Sequence, residues 1–328
     1  MFHVKGFAWM LPLVLVWTAW FGLVAQAEDT AWQAIEDQII YDPQAALQAL
    51  SKVEKDHEPA RVLFLRSQAL LKMGLAKQAI GAAREAVGLD AGVSRYHTQY
   101  AKALLRRISS ETMFAMTNTG RFLKALDKAI ELDPKDPEPR LYKTLFLLNA
   151  PAIAGGSRAK AEAEAAKLAE VSEAYGLLAQ LQFLRADKKS AEAQPLHERL
   201  VSLDPDNIAF AFGYAQYLRR AEQIDAALAF TENKLAAHPD AMRLVFARAV
   251  AQIHGERDLA AGIAGLQRYL RDQKPFAVGP PPANAWYWIG VAHQKAGQTK
   301  EAREAFEKTL AENPKHRAAA KRLAELNG

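Results

Sequence analysis

Residues Ala285 to Pro314 read AWYWIGVAHQKAGQTKEAREAFEKTLAENP. Trp286, Gly290, Gly297, Ala302, Phe306 and Pro314 stand in it at spacings of 4, 7, 5, 4 and 8. The reason for such a series is steric. Two helices cross closely where Gly290 and Ala302 are small, and Trp286 and Phe306 fill the gaps beside the crossing. Pro314 stops the second helix. One such hairpin cannot bury its apolar face alone, so further copies are expected upstream.

The series resembles the tetratricopeptide repeat of about 34 residues, in which two antiparallel helices, A and B, stack on the next pair. The resemblance implies an all-α fold, a right-handed α-solenoid of about seven to eight helix pairs over residues 28–328. In that family the A helices build a concave face that binds peptide segments. It also implies kinship with uncharacterised exported bacterial proteins of the type, through the Ala150–Ser157 stretch APAIAGGS.

Composition agrees with helices: half of the 328 residues are hydrophobic and Ala is abundant. Residues 1–27 stand apart. Lys5 precedes an apolar run from Phe7 to Val24, then Ala25-Gln26-Ala27 and the acidic pair Glu28-Asp29. A positive start, an apolar centre and a small-x-small end describe a signal peptide. An uncleaved anchor is the alternative, since the run approaches spanning length. Periplasmic export is therefore expected, with membrane anchoring in second place and no stable insertion if cleavage occurs. Without residues 1–27 the charge falls from +5 to +4, because only Lys5 is lost. Charges interleave, as in Glu301-Ala302-Arg303-Glu304, so no nucleic-acid patch is expected. The absence of cysteine excludes disulfides, thiolate metal sites and a lipid-modified N-terminal Cys.

In chain order, Ala31–Ile40 and Pro43–Lys55 form an atypical first pair, with Asp42 as N-cap and Pro43 in the first turn. Pro59–Asp90 turns at Gly74 and carries Ala79 and Ala86 as small helix B positions. The third unit is expected to be interrupted by a polar loop, Ser109–Gly120, delaying helix B until Arg121–Leu132. Its Met113, Phe114 and Met116 are expected to pack over the edge of the stack, with a binding lid as alternative. The fourth carries an insertion, Leu148–Ser157, where Pro151 ends a helix and Ser157 caps the next. Gly155-Gly156 lacks the ending of a phosphate-binding P-loop, so its role is read as structural. Two regular units follow, with Ala193 and Ala227 corresponding 34 residues apart. A seventh unit leads to Lys274–Pro282, read as a stiff spacer. Residues Arg317–Leu326 form a charged helix covering the last apolar face.

Catalysis is not expected. His197-Glu198 begins a zinc-protease pattern, but Val201 stands where the second His belongs. Glu162 and Glu164 face different directions on one helix. No cofactor or metal is expected. If the repeat assignment holds, corresponding A-helix places form a groove. Phe64, Phe212, Phe246 and Tyr287 supply aromatics, and Gln68, Gln182 and Gln216 supply amides. Lys102, Arg106, Arg185, Arg219 and Arg220 supply positive charge, with Tyr175, Gln294, Arg95 and Arg243 beside them. Glu138 is the only acid in the set. Amides pair with a peptide backbone, aromatics accept apolar side chains and Arg grips carboxylates. The expected function is a non-catalytic scaffold for a protein or peptide partner, acidic or C-terminal. Alternatives are inter-repeat core aromatics with solvated arginines, and a solute- or lipid-handling protein with a small-molecule cavity.

Overall fold

The computed structural model describes residues 31–53, 58–274 and 278–326, and these contain helices and turns but no strand. The leader expected at 1–27 lies outside them, as do 275–277 of the Lys274–Pro282 loop. Among the described residues no helix is long and apolar enough to cross a membrane. The helices are α1 (residues 31–41), α2 (Pro43–Lys52), α3 (Pro59–Lys72), α4 (Ala76–Leu89), α5 (Ser94–Ile108) and α6 (Thr112–Leu132). They continue with α7 (Pro137–Asn149), α8 (Arg158–Val171), α9 (Glu173–Ala186), α10 (Gln194–Leu203), α11 (Ile208–Arg220) and α12 (Ile224–Ala237). The last are α13 (Met242–His254), α14 (Leu259–Asp272), α15 (Pro282–Lys295), α16 (Thr299–Glu312) and α17 (Arg317–Glu325). From α3 to α16 each odd-numbered helix packs against the even-numbered one that follows. The chain divides into two compact units, Met1–Leu132 and Asp133–Gly328.

In the first unit Asp42 caps α2, accepting from the Ala45 amide, and Pro43 occupies the first turn. Gly74 turns α3 into α4 at φ +78°, a left-handed conformation that favours glycine. Ala79 and Ala86 are fully buried, allowing close approach of neighbouring helices. Ser67 and Gln99 make a buried polar clasp: the Ser67 hydroxyl donates to the Ala79 carbonyl and accepts from Gln99 Nε2. Such a pair specifies which helix faces meet, because leaving either group unbonded costs about 1–3 kcal/mol.

The structure differs from the sequence reading at Ser109–Gly120. Only Ser109–Glu111 form a turn, and α6 then runs unbroken for 21 residues. The stretch holds no proline, and Gly120, its one glycine, sits in open space within the helix. Nothing therefore breaks the helix once it starts. Met113 and Met116 are 79% and 71% exposed, so they do not pack over an edge. Phe114 does pack, beneath the Arg107 guanidinium at 4.0 Å.

In the second unit α7 stops before Pro151 and a 3-10 turn over Ala152–Ala154 follows. Gly155 has φ +90°, and a Cβ on Gly156 would lie 1.8 Å from the Ala150 carbonyl oxygen. The amides of Gly155, Gly156 and Ser157 donate to Ala152, Pro151 and Leu147 carbonyls, leaving none for an anion. Ser157 caps α8 by accepting from the Lys160 amide. Farther on the repeat is visible in side chains: Lys234 donates to the Pro205 carbonyl, and Arg268, one period later, to that of Pro239. At α15 and α16 the crossing is as the spacing requires. A Cβ on Gly290 would meet the Phe306 ring at 2.6 Å, and Ala302 and Phe306 are fully buried. Helix α17 covers this last hairpin, burying Ala319 in the same core as Phe306.

Candidate functional site

In the second unit the A helices α11, α13 and α15 pack side by side. Capping and small residues hold them there. The Asn207 side chain accepts from two amides in the first turn of α11. Ala211, Ala215, Ala247 and Ala251 are buried and let the backbones approach. The faces they leave exposed form an open cleft of about 520 Å³, lined by Phe212, Gln216, Arg219, Arg220, Arg243, Phe246, Val250, Asn284, Trp288 and the Val278–Pro280 segment. Phe246 and Val250 are almost wholly buried and make its floor. The proline-rich segment is thus more than a spacer. Tyr269 donates its hydroxyl to the Pro280 carbonyl at 2.5 Å, and Gly279 fits close against that hydroxyl, holding the segment as a wall.

Two arginines brace the cleft through aromatic faces. The Arg243 guanidinium lies 4.6 Å over Phe212, reaching from α13 back to α11. Arg219 reaches from α11 to Trp288 on α15, at 5.6 Å. Its guanidinium also donates to the Gln216 side-chain oxygen at 3.2 and 3.3 Å. Burial lowers the affinity of both for a proton, and for Arg219 the neighbouring Arg220 adds to the effect. Arg243 Nε is buried without a hydrogen bond. Among the described residues no carboxylate lies within 4 Å of Arg219, Arg220 or Arg243. The acid nearest in sequence, Glu222, is bonded to His254 at 3.0 Å and acts on Arg219 through its charge alone.

Arg220 also borders a second cleft of about 930 Å³, with Gln182, Arg185, Gln194, His197, Tyr217 and Gln223. Here His197 packs against both Tyr214 and Tyr217, with ring centroids 6.1 and 5.2 Å away. Burial first, and then the Arg220 charge, pushes its pKa down to about 4, so the ring is neutral. Glu198 points elsewhere and accepts from Tyr214 and Gln194, both at 2.9 Å. The His197-Glu198 dipeptide therefore serves packing. The contacts His238–Asp206 and His254–Glu222 each join two groups, and among the described residues no third His, Asp or Glu completes a metal-binding set.

Of the residues expected in a groove, Phe212, Gln216, Arg219, Arg220 and Phe246 come together in the first cleft, with Gln182 and Arg185 in the second. In the first unit Phe64, Gln68 and Lys102 line a separate cleft of about 510 Å³ with Arg95. Glu36 and Asp37 from α1 line it too, so that cleft is of mixed charge. Arg106 is exposed at the end of α5 and lines none of these clefts, and neither does Tyr175. Tyr287 and Gln294 are taken up by α17: Arg322 donates to both, and His316 packs on the Tyr287 ring at 4.8 Å. They belong to the terminal cap. Sequence reasoning missed Trp288, Asn284 and His197. Asn284 could have been found, because it precedes Tyr287 by three residues, as Arg243 precedes the corresponding Phe246.

Residues 283–316 match the family model of the tetratricopeptide repeat. That stretch is a tetratricopeptide repeat. Upstream of it, successive helices pack in pairs as well. Among curated proteins none matches this sequence. The fold is similar to solved repeat structures. One is YrrB, described as having an unusual peptide-binding site (18% identity, 61% of this chain and 97% of that one, TM-score 0.40). A second is a repeat protein of Parabacteroides merdae (13% identity, 92% and 100%, TM-score 0.44). A third is the human IFIT1 dimer with m7Gppp-AAAA (14% identity, 86% and 72%, TM-score 0.48).

Proposed function

We propose that this protein is an exported, non-catalytic scaffold that holds an extended segment of a partner protein against the A helices of its second unit. The observation that carries the reading is the cleft at Phe212, Phe246 and Trp288. It is open, has an apolar floor, and is edged by guanidinium and amide groups that bind backbone and side chains of a peptide. Export rests on the composition of residues 1–27. The alternative of a small-molecule cavity under Met113–Met116 loses its basis, since both methionines face outward on α6.

The test is affinity capture from an envelope extract with the mature chain and with a variant in which Arg185, Arg219 and Arg220 are all changed to Glu. The wild type is expected to retain a discrete partner and the variant, folded by circular dichroism, to lose it. Equal retention by both would remove the clefts from consideration.

A further inference from the structure

Ile153 is the most exposed large apolar side chain among the described residues, at 92%. Pro151 and Ala152 beside it are exposed too, so the loop between α7 and α8 ends in a wholly apolar tip. The loop holds its own shape. The Ala154 and Gly156 amides both donate to the Pro151 carbonyl, that of Gly155 to Ala152 and that of Ser157 to Leu147. Gly155 takes φ +90°, and Gly156 lies where a Cβ would strike the Ala150 carbonyl, so glycine is required at both. A tip fixed in this way loses little conformational freedom when it docks. These four amides also need no water, which suits a loop entering an apolar medium, where an unbonded backbone group is costly.

The unanswered charge at the base of the loop is positive. Arg158, at the loop's exit, donates to Asp187 in the turn after α9 and packs over the Phe183 ring, so loop and turn share one edge of the second unit. The acids there are engaged, Asp187 and Glu162 by Arg158 and Glu192 by Lys189. Lys160, in the first turn of α8, and Lys188, next to Asp187, are exposed and have no carboxylate within 4 Å among the described residues. An apolar socket on another protein would meet the tip but leave the two lysines without a role. A bilayer with anionic headgroups meets both, because the tip enters the acyl boundary while the ammonium groups stay level with the phosphates. Separately from the peptide cleft, we infer that the Pro151–Ile153 tip, with Lys160 and Lys188, is a contact loop for an anionic lipid surface. One branched side chain and two lysines make a reversible contact and not an anchor.

The test measures co-sedimentation of the mature chain with vesicles of phosphatidylcholine alone and of equal parts phosphatidylcholine and phosphatidylglycerol. Binding is expected to the anionic vesicles only, and it should weaken several-fold as salt is raised. Ile153→Asp should reduce it about tenfold, and Ile153→Trp, whose ring favours the bilayer interface, should increase it. Changing Lys160 and Lys188 together to Gln should reduce it several-fold. All these positions are exposed, and an unchanged thermal midpoint checks that each variant is folded. Because the chain has no cysteine, Ile153→Cys and Glu307→Cys each create one labelling site. A polarity-sensitive dye should shift to the blue on anionic vesicles at the first site and not at the second. No binding by the wild type, equal binding by Ile153→Asp, or a dye on the tip that ignores the vesicles would overturn the inference. Loss of the captured partner by Ile153→Asp would overturn it as well, since the tip would then be seated in a protein. Retention of the partner by that variant, together with loss of vesicle binding, supports it and leaves the cleft reading untouched.

Discussion

His197 shows how far one residue's role depends on neighbours that the chain supplies from elsewhere. Its ring is packed against Tyr214 and Tyr217 of the following helix, beside Arg220. The folded protein keeps it neutral down to a pKa of about 4, against an ordinary 6.5 when unfolded. Between those values the unfolded chain binds the extra proton, so this group's contribution is complete above pH 6.5 and is lost as the pH falls toward 4. Urea unfolding at pH 7 and pH 4.5 should therefore show the wild type losing about 1–2 kcal/mol more than His197→Gln. The full shift would correspond to more, but the ring faces an open cleft and solvent screens part of it. Identical pH dependence in the two proteins would refute the account. In the linear sequence His197-Glu198 reads only as a failed metal motif, because the stacking partners lie in another helix.

At the scale of the element, the helix crossing of α15 and α16 is the part most directly legible from residue types. Gly290 is required because the Phe306 ring fills the space where its Cβ would stand. Gly290→Ala is expected to cost about 1–3 kcal/mol through overpacking, although alanine is the better helix former. Gly290→Ala combined with Phe306→Leu, which vacates the ring, should lose less than the sum of the two single changes. Chemical denaturation of the four proteins measures this, and strict additivity would show that the two sites do not touch. Helix α6 teaches the opposite lesson. Residues Ser109–Gly120 contain polar and small residues that resemble a loop, but without proline nothing forces one, and the long α6 forms as a single helix.

For the whole molecule, each repeat leaves a face that the next must cover, so the last face needs a terminator. Helix α17 supplies it, with Ala319 buried and Leu323 and Leu326 packed on the core of α15 and α16. Deleting residues 317–328 should lower the thermal midpoint by about 4–8 °C and increase binding of an apolar dye, as expected for about 2 kcal/mol lost. An unchanged midpoint would mean that the last hairpin tolerates an open end. The same helix explains why Tyr287 and Gln294 are not groove residues despite lying at corresponding places: Arg322 and His316 already occupy them.

Repetition is a local property, and so the hairpins, their small crossing residues, the Asp42 and Ser157 caps and the terminal helix could all be read from spacing and residue type. Helix continuity through 112–120, the loop wall at Val278–Pro280 and the meeting of Arg219, Arg243 and Trp288 could not. The last two depend on side chains brought together from helices far apart in sequence, where packing rather than periodicity selects the neighbours, while the helix continues through 112–120 because no residue there forces a break.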